Sequence, residues 1–222
     1  MEESKDTLNR RVNETEDLKS FAKELGADVV GIADLRCLEG MPIGVSFDPT
    51  RFLKAYPFAI VMGVRLGERG DQASGKETSL FLERSAVEVV TRLGEKGYHA
   101  LIIHPEDEFD PINRLGFMSL KVLAKAAGLG WQGRSLLIVS PEYGPIHRLI
   151  AVLTNMYLLP GSPSPNRCNG CTICVGKCPT GALTFKSFED HPTRREDVLD
   201  VRACLGDSGC LACLAACPWR ER

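Results

Sequence analysis

The sequence predicts an α/β (α+β) body, in which helices flank a central sheet, followed by a C-terminal two-cluster ferredoxin-like module. Three observations carry that reading. Helical apolar patterns alternate with short, fully apolar runs up to Leu153, as in a sheet with helices packed on it. The stretch Leu159-Pro160-Gly161-Ser162-Pro163-Ser164-Pro165 then breaks the pattern as a linker does. Eight of the nine cysteines follow it, in two runs that each end in Cys-Pro. These features place the body at residues 1–159 and the cluster module at residues 160–222.

The elements follow in order. In residues 15–25, Leu18, Phe21, Ala22 and Leu25 recur at helical spacing and Gly26 supplies a stop. Residues 29–33 and 58–64 are apolar runs of strand length. In residues 79–93, Leu80, Phe81, Val87, Val90 and Leu93 suggest one helical face. Residues 100–103 form a third strand, residues 115–127 a helix, and residues 136–139 and 149–153 two further strands.

The cysteine runs read Cys168-x2-Cys171-x2-Cys174-x3-Cys178-Pro179 and Cys204-x5-Cys210-x2-Cys213-x3-Cys217-Pro218. In bacterial two-cluster ferredoxins the fourth cysteine of each run ligates the other [4Fe–4S] cluster. That rule groups Cys168, Cys171, Cys174 and Cys217 on one cluster, and Cys204, Cys210, Cys213 and Cys178 on the other. Zinc ribbons favour separated pairs of cysteines, and disulfide frameworks belong to short secreted chains. The five-residue spacer 205–209 departs from the pattern, but its two glycines allow an outward bulge that keeps Cys204 as a ligand. Cys37 lies far from both runs and reads as a buried or idle thiol.

A net charge of −2, with 44% apolar and 25% charged residues, is that of an ordinary globular chain. It gives no electrostatic case for nucleic acid, which favours a basic face. No apolar run approaches the roughly 20 residues of a membrane span. Arg10-Arg11 lacks the apolar segment of an export signal. Thiolate-ligated clusters favour a reducing compartment, so the cytoplasm is the expected location.

Gly128-Leu129-Gly130-Trp131-Gln132-Gly133 matches G-x-G-x-x-G by letter. The order here is helix, loop, strand, the reverse of the dinucleotide-binding unit. Two readings stay open. Gly128 caps a helix and a tight turn follows, or the three glycines bring the backbone close to a flat ligand. On the second reading Gly128, Gly130, Trp131, Gly133 and Arg134 bind a cofactor. Tyr143 and Arg148 are the catalytic candidates, Tyr143 as a proton donor or hydrogen-bond partner of a cofactor side chain, or simply a turn tyrosine. Arg148 is a candidate anion-binding residue or a strand-edge surface arginine.

These segments carry a resemblance. Ala124-Lys125-Ala126-Ala127-Gly128-Leu129-Gly130-Trp131-Gln132-Gly133-Arg134 resembles the A-x-x-A-G-L-G-W-x-G-K segment of epoxyqueuosine reductases. Ser140-Pro141-Glu142-Tyr143-Gly144-Pro145-Ile146-His147-Arg148-Leu149 resembles T-P-E-[YF]-G-P-x-x-R-L of reductive dehalogenases. Residues 152–158 and 25–33 are similar to further segments of these enzymes. The resemblance implies a corrinoid-dependent reductase with a body like the nitroreductase and cobalamin-processing folds. In such enzymes two clusters supply electrons to base-off cobalamin, and the substrate is a small molecule or modified base. A ferredoxin or flavodoxin donor is implied, and a homodimer is compatible with it. Arg114 stands where epoxyqueuosine reductases carry an acidic proton donor, and the sequence lacks their tRNA-binding helical extension. It therefore reads as a compact relative with an unassigned substrate. A non-catalytic electron-transfer protein and a cobalamin-handling protein are the alternative expectations.

Overall fold

The computed structural model describes residues 5–38, 53–65, 75–105, 112, 116–206 and 210–220. Its body is built on six strands: β1 Val29–Asp34, β2 Phe58–Arg65, β3 Ala100–Ile103, β4 Trp131–Gln132, β5 Ile138–Ser140 and β6 Gly144–Thr154. The strand order is β1-β2-β6-β5-β4, with β3 also paired to β6, and every pairing is antiparallel. β6 is the spine. It pairs with β2 along one edge, while β3 and β5 share the other.

β1, β2 and β6 are largely buried on both faces, while Leu101 of β3 is exposed, and side chains alternate between the faces with the two-residue period of extended backbone. Val29, Ala33, Ala59, Val61, Ala151 and Leu153 enter one core, with Leu123 and Ala124 of helix α3, Leu120–Ala126. Val30, Ile32, Ile60, Met62, Ile150 and Val152 enter the other core. Helices α1, Lys5–Glu24, and α2, Gly75–Glu95, cover that second face. A fully buried Leu, Ile or Phe contributes roughly 1.5–3 kcal/mol, so these two layers dominate the body's stability.

Several boundaries and faces differ from the sequence expectation. α2 buries Leu82, Ala86, Val89 and Leu93, whereas Leu80 and Val87 are about half exposed, at 55% and 48%. The largest side chains misled the phase, because a close helix–sheet contact favours small residues such as Ala86. α3 begins at Leu120 rather than residue 115, and residues 116–119 are non-helical. β5 begins at Ile138 because Leu136 is held at φ 60° in a turn closed by its own N–H on the Gly133 carbonyl (2.8 Å). Arg114 lies outside the described residues.

The Pro-Ser-rich segment is docked on the body. The N–H of Gly161 donates to Ile32 O at 2.8 Å, and that of Leu159 donates to Thr15 Oγ1 at 3.1 Å. Beyond it lie two short helices, α4 Ile173–Gly176 and α5 Ala212–Ala215, and an isolated bridge between Leu183 and Leu199. Val175, Ala182, Leu183, Val198 and Leu214 form the small buried interior of this module. No described helix is long and apolar enough to cross a membrane.

Candidate functional site

Each cysteine run wraps a tight turn onto a one-turn helix. The N–H of Cys171 donates to Cys168 O at 2.7 Å, and that of Cys178 donates to Val175 O at 3.2 Å. In the second run the N–H of Cys217 donates to Leu214 O at 3.1 Å. The wider spacer is closed by the N–H of Cys210 on Gly206 O at 2.7 Å; residues 207–209 lie outside the described residues. Just before it, Asp200 Oδ1 accepts from the N–H groups of Arg202 and Ala203, a turn that sets the approach to Cys204. None of the eight cysteines forms a disulfide, and all are partly buried. Among the described residues, no three His, Cys, Asp or Glu side chains lie close enough to hold a single metal ion. The thiols are thus grouped more openly than the ligands of a mononuclear site.

The electrostatics tell which thiols are neighbours. Burial pushes the Cys174 thiol up to about 11, helped by Cys168, Cys171 and Cys217 around it. Burial also raises Cys217, with Cys168 and Cys171 adding to the rise against an opposing hydrogen bond from Trp219. Cys213 is pushed up to about 11 by burial and then by Cys174, Cys204 and Cys210. Cys178 moves the other way. Burial raises it, but hydrogen bonds from the Leu183 backbone, the Thr180 hydroxyl and nearby N–H groups outweigh that. Cys217 therefore sits with the first run's cysteines.

Between body and module opens a cavity of about 780 Å³, toward the upper end of the roughly 300–1,000 Å³ usual for ligand sites. One wall carries Leu136 and Leu137 of the β4–β5 turn and Ile138 of β5, with Ile146 and Leu149 of β6. The opposite wall is the cluster module, where Cys178, Cys204, Cys210 and Cys213 all face the cavity. Cys168, Cys171, Cys174 and Cys217 do not. The side walls bring Lys121 and Lys125 from α3 and Arg148 from β6. Lys125 is ion-paired with Asp190, which His191 also contacts at 2.9 Å. Mostly apolar walls with a few charged and polar groups suit a large amphipathic ligand.

The candidate residues divide. Arg148 faces the cavity; Tyr143 is not among its wall residues. Tyr143 instead packs on the α3-side core at the β5–β6 turn, where its N–H contacts Ser140 Oγ at 3.3 Å and Arg65 lies over its ring. Burial, then Glu142, pushes the Tyr143 phenol up. None of Gly128, Gly130, Trp131, Gly133 and Arg134 lines the cavity; within that loop only Gln132 does.

The glycines serve the fold. Gly128, at φ 76°, ends α3: its N–H donates to Lys125 O and that of Leu129 to Ala124 O, both at 3.0 Å. A β-carbon on Gly130 would lie 2.0 Å from Val139 O, so only glycine lets β4 approach β5. Trp131 is buried edge-on against Trp219, 4.8 Å between centroids. Arg134 is 7% exposed and donates to Cys171 O (2.9 Å), Phe185 O (2.9 Å) and Lys186 O (3.0 Å). It binds the module to the body instead of a ligand. Cys37 is exposed and sits on the cavity wall. Sequence reasoning set it aside because nothing in its local pattern marks it. Lys125 and Cys37 reach the cavity only through tertiary packing.

Residues 167–220 match the family model of a 4Fe-4S dicluster domain. The epoxyqueuosine reductase of Listeria monocytogenes is 34% identical over 116 residues, covering 48% of this chain and 31% of that protein. The chain thus spans about a third of the length of the curated relatives it matches, 31% and 33% in two of them. A solved epoxyqueuosine reductase, with an epoxyqueuosine-modified tRNA stem loop, superposes with TM-score 0.63 and 20% identity over 95% of this chain and 66% of that one. A reductive dehalogenase whose structure suggests a mechanism for B12-dependent dehalogenation gives TM-score 0.69 and 22% identity over 93% and 32%. The resemblance to epoxyqueuosine reductases is borne out over about half of the chain, 48% and 51% in two relatives, and the fold is shared with both enzyme groups. The C-terminal module carries two [4Fe–4S] clusters.

Proposed function

We propose that this chain is an iron–sulfur reductase whose cavity holds a base-off corrinoid against the cluster of Cys178, Cys204, Cys210 and Cys213. Cys168, Cys171, Cys174 and Cys217 hold the second cluster, which lies away from the cavity. One observation carries the reading: of the module's eight cysteines, the four that face the cavity are the three of the second run plus the fourth of the first. That is the crossed set of a two-cluster ferredoxin. When bound, the clusters supply one-electron carriers and the corrinoid supplies the reductive chemistry.

The protein's own part is binding and orientation. The aliphatic walls would bury the corrinoid, and Arg148, Lys121 and Gln132 are the polar wall residues that would hold its amide substituents. The N–H groups and hydroxyl around Cys178 Sγ favour its thiolate form, the form that ligates iron. The substrate is a reducible small molecule or modified base. The relative captured with a modified tRNA stem loop supports the base and weighs against a partner set without tRNA.

Titrating anaerobically reconstituted protein with hydroxocobalamin, followed in the visible spectrum, tests this. We expect saturable base-off binding. Ser135→Trp, which places a large ring on the cavity wall, should weaken it at least ~tenfold, about 1.4 kcal/mol, without loss of iron. An unchanged cobalamin spectrum, or equal binding by the variant, contradicts the proposal and favours a protein that only transfers electrons.

A further inference from the structure

We infer that the indole N–H of Trp131 donates a hydrogen bond to a sulfur of the cluster held by Cys168, Cys171, Cys174 and Cys217, and thereby raises that cluster's reduction potential. The inference rests on the crossed assignment above and adds a residue that tunes one cluster and not the other.

Trp131 is 1% exposed, yet its Nε1 has no hydrogen-bond partner among the described residues. An indole N–H is a donor only. Leaving a buried donor unpaired is costly, and native structures rarely do so without an acceptor that the polypeptide itself does not supply. The surroundings of the ring name the acceptor. Trp219, which follows Cys217-Pro218, meets it edge-on at 4.8 Å and 77°. The guanidinium of Arg167, the neighbour of Cys168, lies 6.0 Å from the ring centroid. Two residues beyond Trp131, a β-carbon on Gly133 would lie 3.7 Å from Cys168 Sγ. The ring is therefore walled by the segments that carry the first and fourth cysteines of one quartet. Thiolate and sulfide sulfurs of that cluster are acceptors of the required kind. Trp131 does not line the cavity, so neither substrate nor corrinoid reaches its N–H there.

Reduction adds negative charge to a cluster, and a hydrogen bond to its sulfur strengthens as that charge grows. Trp131 thus favours the reduced state of the cluster away from the cavity. It acts as a positioning and tuning residue that never touches substrate.

The test is a redox titration of holoprotein followed by electron paramagnetic resonance. Trp131→Phe keeps an aromatic ring against Trp219 and removes the N–H. The Cys168 cluster should become harder to reduce by about tenfold in equilibrium constant, about 59 mV for one electron, while the Cys204 cluster stays put. A purely structural role would leave the potential unmoved or shift both clusters together. A second measurement needs no variant at Trp131. The chain has two tryptophans, so indole-15N labelling of the wild type should give a 15N coupling on the reduced Cys168 cluster that survives Trp219→Phe. Intact clusters with no coupling and no shift overturn the hydrogen bond alone. Wild-type protein without cubane clusters overturns both it and the cysteine assignment.

Discussion

Arg134→Ala should loosen the cluster module from the body and cost about 3 kcal/mol or more, because it leaves three carbonyl acceptors without their shared donor. Those acceptors belong to Cys171, Phe185 and Lys186, so one guanidinium ties the first cysteine turn to the strand bridge region and both to the β4–β5 turn. Arg134→Lys should recover only part of the loss, since an ammonium is a single point of charge and cannot reproduce the planar fork. Urea unfolding monitored by near-ultraviolet circular dichroism gives the measurement. A change within about 0.5 kcal/mol, the range of ordinary surface substitutions, would show that the module is held by other contacts.

Gly130→Val is the second large effect. A β-carbon there would overlap Val139 O at 2.0 Å, and Val139 is paired with Trp131 in the same hairpin. The strands must separate, at a cost of about 4 kcal/mol or more, and Trp131 then leaves its place beside Trp219. Read from sequence, this substitution would block a ligand and spare the clusters. Read from the structure, it lowers thermal stability and cluster iron together. Thermal unfolding with parallel iron analysis separates the two outcomes.

The contrast shows which parts of the molecule the sequence exposes. The cysteine spacing is a local code, so the cluster module and its crossed quartets are readable from Cys168 to Cys217 without any fold. Fully apolar strands such as β2 are readable for the same reason, since Phe58–Val61 has no amphipathic alternative. Helix faces are harder. On α2 the large residues Leu80 and Val87 point outward, and the buried stripe runs through Leu82, Ala86, Val89 and Leu93. The glycine loop misleads because a helix cap, a close strand crossing and a ligand cradle all demand glycine. Only the packing of Gly128 on Ser162 and of Gly130 on Val139 decides among them. The cavity is assembled from the consecutive α3, β4–β5 turn and β6 together with the module and with Asp34 and Cys37 far earlier in the chain. Arg148 was readable through its motif; Lys125 and Cys37 had no local signal.

The central claim is that a corrinoid in the cavity faces the cluster of Cys178, Cys204, Cys210 and Cys213. Electron paramagnetic resonance of dithionite-reduced holoprotein loaded with cob(II)alamin tests it most directly. The account predicts a cobalt signal split or broadened by a neighbouring reduced cluster, with the interaction lost in Cys178→Ala and retained in Cys171→Ala. A simple sum of independent cobalt and cluster signals, or an interaction that survives Cys178→Ala and disappears in Cys171→Ala, would contradict it.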